Sequence, residues 1–153
     1  MQNCVDLWWK LDWEIAGLCL REPHDVIDMK YFAFNAAVTA WTLTDWVFED
    51  MTLAQRSHHR VRSQSEFQKL ARDQCRALHL CRQVATASKH RTVDKYPDPS
   101  VSAGVNVRPG CQTICEWEIV ITDGTTTRLA VDVLEEAKAY WYRFIPKLGL
   151  LID

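Results

Sequence analysis

One arginine and one histidine have the types and the spacing that acid–base cleavage of RNA requires. Arg72 and His79 are seven residues apart, close to two helical turns, so on one helix their side chains would point the same way within about 20°. An arginine binds phosphate through paired hydrogen bonds, and a histidine titrates near neutral pH. The pair predicts metal-independent RNA cleavage, with Arg72 as the phosphate clamp and His79 as the general acid or base.

The stretch from Arg72 to His79 reads Arg-Asp-Gln-Cys-Arg-Ala-Leu-His. It resembles the motif of HEPN-type helical domains, whose ribonuclease members carry an arginine, often followed by a polar residue, and a histidine after four to six intervening residues. In this chain Asp73 is the polar neighbour and six residues intervene. The resemblance covers this stretch and a general helical core. It implies a ribonuclease, and a dimer in which the two motifs face each other across a cleft.

Basic residues are concentrated in the middle of the chain. Residues 52–95 hold ten basic and three acidic side chains, whereas residues 1–51 hold three basic and nine acidic ones. The net charge of −2 excludes a polycation that coats nucleic acid. The basic segment is either an anion-binding face for RNA, DNA or an acidic protein, or a helix that packs beside the acidic helices or is solvated. The predicted anion-binding residues are Arg60, Arg62, Arg72, Arg76 and His90.

The predicted second helix is apolar almost all round, which predicts that the bundle shields it from solvent, and polar residues follow one narrow seam of it. Buried polar groups need hydrogen-bond partners, and an antiparallel third helix would bring Ser88 or His90 near Asn35. The seam is either a small polar pocket or an internal network in which threonines bond to the preceding turn. Its residues are Asn35, Thr39, Thr42, Asp45 and Glu49, and the predicted pocket comprises Asn35, Thr39, Thr42, Asp45, Ser88 and His90.

Seven tryptophans are many for 153 residues. They indicate a core built on large flat side chains, and the alternative is a platform on which bases stack. Trp9 and Trp13 are the exceptions, because they share a face of the first helix that points away from its Leu11–Ile15 stripe. This face predicts an interface, and the first hypothesis is a non-enzymatic helical interaction domain that acts as a homodimer.

Motifs for metals and nucleotides are lacking. The sequence contains no C-x-x-C, no glycine-rich phosphate loop and no E-x-x-H pair. Cys111 and Cys115 are four residues apart and conceivable as zinc ligands, but no second pair at ligand spacing accompanies them. We expect reduced thiols, no metal and no cofactor.

The sequence also predicts a cytoplasmic protein without a membrane segment. Asp6, Lys10, Asp12 and Glu14 interrupt the apolar N-terminus, so it lacks the unbroken core of a signal peptide. The longest strongly apolar run, residues 31–44, has 14 residues and is too short to cross a bilayer core about 30 Å thick.

Hydrophobic periodicity predicts one mainly α, α+β domain over residues 1–153: a bundle of about four helices with an antiparallel β-hairpin before the last helix. Ser63-x-x-Glu66 and Asp132-x-x-Glu135 are predicted capping boxes, and Asp25 or Asp28 is predicted to cap the second helix. Asp123-Gly124 is the predicted hairpin turn. The expected helices are 5–20, 28–50, 64–88 and 133–145, with the hairpin over 115–132 and loops over 52–62 and 91–113.

Overall fold

The computed structural model describes residues 2–19, 26–89, 98–108, 116–150 and 152. It confirms a mainly helical α+β fold, with six α-helices and a three-stranded sheet in this part of the chain. The helices are α1 (Cys4–Cys19), α2 (Val26–Asp50), α3 (Leu53–His58), α4 (Gln64–Gln74), α5 (Arg76–Lys89) and α6 (Ala130–Phe144), and the strands are β1 (Val101–Arg108), β2 (Glu116–Asp123) and β3 (Thr126–Leu129).

The longest helix, α2, lies at the centre of the bundle, where α1, α4, α5 and α6 pack against it. Small side chains on its buried face let the neighbouring helices approach closely. Trp141 of α6 is fully buried there and donates its indole N–H to the carbonyl oxygen of Ala40 at 3.0 Å. The prediction that α2 is shielded all round is wrong, because Tyr31 is 63% exposed and Asn35 and Glu49 are exposed as well.

Residues 52–62, predicted as a loop, contain the short helix α3. Thr52 caps it, and Gln55 reaches back to the Thr52 backbone N–H, so the pair forms a capping box. The helix ends in a Schellman motif, in which the N–H of Val61 bonds to the carbonyl oxygen of Arg56 at 2.9 Å. Arg60 occupies the left-handed position of that motif, with φ of 57°.

The predicted helix over residues 64–88 is in fact two helices. Cys75 has extended backbone angles (φ −142°, ψ 105°), and it separates α4 from α5. Ser63 caps α4 as predicted, but the Glu66 carboxylate accepts from the N–H of Arg62 rather than from that of Ser63. The predicted core face includes Leu70, which is half-buried and packs against the core; its other members are buried as predicted: Phe67, Ala71, Leu78, Cys81, Val84 and Ala85.

The sheet has the antiparallel order β1-β2-β3. Its β2–β3 hairpin confirms the predicted one, although Gly124 and Thr125 form the turn, one residue later than expected, because Asp123 pairs with Thr126. Gly124 has φ of 61°, which suits the first central position of a tight hairpin turn. The prediction of a loop over 91–113 is wrong at 101–108, where β1 pairs along the whole of β2.

Both remaining helix starts differ from their predicted caps. The backbone of Leu129 begins α6 without a side-chain cap, so the capping box at Asp132 is wrong, and Asp132 lies in the first turn, where it favours the helix dipole. Asp28 likewise lies inside the first turn of α2, and Asp25 is outside the described residues. The predicted core face of the last helix is confirmed, since Ala137, Tyr140, Trp141, Phe144 and Ile145 are buried.

Candidate functional site

Arg72 and His79 lie on different helices, because Cys75 interrupts the predicted single helix. The prediction that both side chains point the same way from one helix is therefore wrong. Arg72 donates its Nε–H to the carbonyl oxygen of Gln68 in its own helix at 3.3 Å. His79 Nε2 lies 2.9 Å from a carboxylate oxygen of Asp98, just before β1. The catalytic roles of the two residues stay a prediction.

A cluster of four charged or titratable residues joins α5 to the sheet; we call Arg76, His79, Asp98 and Asp123 the α5–sheet cluster. Arg76 donates from Nε and Nη2 to the two carboxylate oxygens of Asp123, at 2.8 and 2.6 Å. Its Nη2 also lies 3.3 Å from Asp98. Arg76, predicted to bind an external anion, is thus engaged by two carboxylates of its own chain, in the bidentate geometry that suits an arginine.

The surroundings of the α5–sheet cluster lower the pKa values of His79, Asp98 and Asp123, and hydrogen bonding to Asp123 raises the pKa of Arg76. The Ser100 hydroxyl, with His79 and Arg76, holds the pKa of Asp98 well below its usual range. Burial lowers the pKa of His79, and the Arg76 charge lowers it further, although Asp98 acts in the opposite sense. At neutral pH the cluster therefore pairs an anionic Asp98 with a mainly neutral His79, which is the form of histidine that accepts a proton.

A cleft of about 240 Å³ lies between α5 and β1 beside this cluster. Its walls are mostly apolar, and Asp98 and Gln83, both within hydrogen-bond distance of His79, lie at its polar side. Sequence reasoning missed Asp98, Gln83 and Ser100. The Asp-Pro-Ser stretch at 98–100 favours a turn, but its contact with α5 depends on the tertiary fold.

The predicted polar seam of α2 divides into separate networks. Thr39 is buried and accepts a hydrogen bond from Lys10 Nζ at 2.6 Å, and Lys10 is also paired with the buried Glu14. Asp45 accepts from Gln68 Nε2 at 2.7 Å. Asn35 and Glu49 are exposed, and Thr42 is half-buried. Two members are solvated and two are bound to different helices, so the described residues of the seam do not meet in one pocket; the Ser88 side chain and His90 lie outside the described residues.

An open depression of about 650 Å³ brings three arginines together at the end of α2. We call it the arginine depression; its lining residues are Leu53, Arg56, Ser57, Arg60, Val61 and Arg62. Two of the predicted anion-binding residues, Arg60 and Arg62, are among them. Within the described part of the chain neither of their guanidinium groups is in an ion pair. The nearby His59 has a lowered pKa, first through burial and then through the positive charges of His58 and Lys147.

The first helix presents aromatic rings to solvent, as its periodicity predicts. Trp9 is 45% exposed and Trp13 is 67% exposed, one helical turn apart. Trp9 packs edge-on against Trp8, which also contacts Tyr142, and Trp13 packs edge-on against Phe32 at 5.8 Å between ring centres. We call Trp9, Trp13, Phe32 and Tyr142 the α1 aromatic surface.

Gly17 positions one part of this surface. A Cβ at this residue would lie 2.4 Å from the Phe32 ring, so the absence of a side chain lets that ring lie against α1 beside Trp13. The other tryptophans with described side chains are not exposed in this way: Trp8 and Trp141 are buried, and Trp41 and Trp46 are half-buried. Trp8 and Trp141 therefore belong to the core, and Trp46 packs against it.

Four cysteines carry free thiols: Cys4, Cys75 and Cys81 are buried, and Cys19 is exposed. Cys111 and Cys115, conceivable as zinc ligands, lie outside the described residues. In the ranges that the structure covers, no three His, Cys, Asp or Glu side chains are grouped as metal ligands. No helix within those ranges is long and apolar enough to cross a membrane.

Comparisons of the chain with protein-family models, with curated proteins and with solved structures give no match. Function is therefore inferred from the three places described above: the α5–sheet cluster, the arginine depression and the α1 aromatic surface. The charged groups of the α5–sheet cluster pair with one another, whereas the arginine depression and the α1 aromatic surface present side chains to solvent.

Proposed function

We propose that this protein is a non-enzymatic interaction domain that forms a homodimer through the α1 aromatic surface. The observation that carries the proposal is the exposure of Trp9 and Trp13, one turn apart on the same helix. Tryptophan is costly to leave in water and is enriched at the centres of protein interfaces. A pair of exposed indoles on a rigid helix is thus more typical of an interface than of a solvated surface.

The exposed stripe of α1 is free of charge at its centre. Trp9, Trp13 and Ala16 follow at spacings of four and three, which is the pattern of a helix that packs along another helix. The flanking charges are held by partners within the chain, since Lys10 bonds to Glu14 and Thr39 and Asp12 bonds to Lys138 at 2.9 Å. If an apolar partner covers this stripe, few charged groups lose their water, so the desolvation penalty is small.

A second copy of the chain supplies such a face. In a two-fold dimer the same patch is used by both subunits. If two α1 helices cross antiparallel through their exposed faces, with the two-fold axis midway between Trp9 and Trp13, Trp9 of one copy lies opposite Trp13 of the other, because the two residues are equally far from the axis. Each indole then stacks on an aromatic ring, an arrangement that stabilises beyond the burial of area alone.

The test is sedimentation equilibrium of the wild type and of Trp13→Ala. Truncation of a central interface tryptophan costs about 2 kcal/mol or more per copy, so the two copies in a dimer raise the dissociation constant about 1000-fold. Leu53→Ala is the matched control, because Leu53 is 81% exposed and lies on α3, outside the α1 aromatic surface. It should dimerise like the wild type. A wild type that stays monomeric, or a Trp13→Ala protein that associates equally well, contradicts the proposal.

RNA cleavage is a second candidate function. The observation that favours it is the neutral, half-buried His79 beside the cleft, in the form needed for a general base. Arg72 would supply the phosphate contact, as the resemblance to HEPN-type domains implies. An RNA or acidic protein partner and a cytoplasmic location stay predictions.

A further inference from the structure

The arginine depression concentrates positive charge on one open surface. Arg60 and Arg62 are exposed, and their guanidinium groups have no ion-pair partner among the residues that the structure covers. The nearby carboxylate of Glu66 accepts from the backbone N–H of Arg62 at 2.6 Å, and among the described residues it forms no ion pair with either guanidinium group. Guanidinium groups that are not paired with a carboxylate are suited to phosphate oxygens, which accept two parallel hydrogen bonds from one arginine.

Arg56 is held rigidly at the edge of this surface. Its Nη2 donates to the carbonyl oxygen of Phe48 at 2.8 Å, and its guanidinium carbon lies 4.0 Å above the centre of the Phe48 ring. Its buried Nε–H has no hydrogen-bond partner among the described residues. These contacts fix the group before any ligand arrives, so a bound anion would not have to order it.

Arg60 has a left-handed backbone conformation that is strained for arginine but would not be strained for glycine. The residue takes φ of 57° in the Schellman motif at the end of α3, a position that glycine usually fills because the left-handed region is costly for other residues. The Arg60 side chain is exposed and makes no hydrogen bond, ion pair or ring contact among the described residues that would offset this cost. A strained residue whose side chain extends into solvent indicates a role outside the folded chain itself.

We propose that Arg56, Arg60 and Arg62 form a binding site for phosphate groups, presented either by a free nucleotide or by a single-stranded RNA. The site is independent of the α1 aromatic surface and of the α5–sheet cluster. Its three cations line a depression that is wide and open, so phosphates enter from solvent without a conformational change.

The test measures fluorescence anisotropy of a short labelled oligouridylate, with unlabelled UMP as competitor, for the wild type, Arg60→Gly and Arg62→Gln. Loss of one phosphate contact should weaken binding of the strand about fivefold at ~0.1 M salt and reduce the salt slope by about 0.7. Lys30→Gln is the matched control, because it removes the same charge from α2 about 30 Å along the helix from its end. It should bind like the wild type.

Arg60→Gly separates a ligand role from a structural one. Glycine relieves the left-handed strain, so its melting temperature should rise by about 2 °C while its affinity falls. Competition by UMP identifies a free nucleotide as the source of phosphate, and arginine-dependent strand binding without competition identifies RNA; either result supports the site. The proposal is overturned if neither probe binds at about 1 mM in low salt, or if Lys30→Gln weakens binding as much as Arg60→Gly.

Discussion

Asp98→Asn removes the negative charge through which the loop before β1 holds α5. In the wild type, one carboxylate oxygen accepts from the Ser100 hydroxyl at 2.6 Å and from the Ser100 N–H at 3.1 Å. The other oxygen lies 2.9 Å from His79 Nε2 and 3.3 Å from Arg76 Nη2. An asparagine keeps an oxygen for Ser100, but its amide group loses the charge attraction to Arg76.

The loss of stability in Asp98→Asn can be estimated from the interactions that remain. Arg76 is about half-exposed and keeps its two bonds to Asp123, so the lost attraction is screened by solvent and small. The hydrogen bonds to Ser100 and His79 also become weaker, because a neutral amide oxygen is a poorer acceptor than a carboxylate, and this adds to the loss of stability. We expect the free energy of unfolding to fall by about 1–2 kcal/mol at pH 7, which lowers the melting temperature by roughly 3–6 °C.

The pH dependence of this loss has a definite sign. The folded chain lowers the pKa of Asp98, so the unfolded chain binds its proton first and the stabilisation is fully present above the unfolded pKa near 3.8. The stabilisation is lost as the pH falls through the folded pKa. The difference between wild type and Asp98→Asn should therefore shrink progressively below about pH 4.

Urea unfolding at pH 7 and at about pH 2.5 measures both effects, and NMR titration of His79 adds a local readout. Because the Asp98 charge raises the His79 pKa, that pKa should fall further in the variant. Asp73→Asn is the control, since Asp73 is exposed and its ion-pair partner among the described residues is Lys69 of the same helix, and we expect little change. Equal stability of wild type and Asp98→Asn at pH 7, or a difference that grows in acid, would refute the reasoning.

Two further predictions concern the core and the second candidate function. Trp141→Phe removes the indole bond to the Ala40 carbonyl oxygen and leaves a cavity in the core, so it should cost about 2–4 kcal/mol of unfolding free energy in urea titrations, whereas Trp46→Phe at the half-buried edge should cost less. His79→Ala should abolish RNA cleavage in EDTA if the chain is a ribonuclease; a wild type that cleaves no RNA between about pH 5 and 8 removes that hypothesis.

The helices whose apolar residues repeat at helical spacing could be predicted from the sequence, because burial against the bundle follows that spacing directly. The core face of α6 and the exposure of Trp9 and Trp13 are examples. Local chemistry also indicates α3, since Thr52 and Gln55 have the spacing of a capping box.

The helix break at Cys75 and strand β1 could not be predicted from the sequence. No proline or glycine marks the break at Cys75, so the interruption between α4 and α5 comes from packing rather than from local preference. Strand β1 does alternate apolar residues, at Val101, Ala103 and Val105, but the prolines and glycines around it favour a loop. Its pairing with β2 decides its structure.

The α5–sheet cluster shows why the candidate site was only partly predictable. Arg76 and Asp123 are 47 residues apart in the chain, and nothing local links them. The sequence indicates a basic segment, but which of its cations are neutralised depends on the tertiary fold. Arg76 is neutralised and Arg60 and Arg62 are not, among the residues that the structure describes.

The most direct measurement of the proposed dimer is ¹⁹F NMR of the protein labelled with 5-fluorotryptophan, recorded over a range of concentrations. The account predicts that the resonances of Trp9 and Trp13 shift as the concentration rises, because each indole leaves water, while the resonance of the buried Trp141 stays constant. Resonances of Trp9 and Trp13 that do not change up to the highest attainable concentration would contradict it.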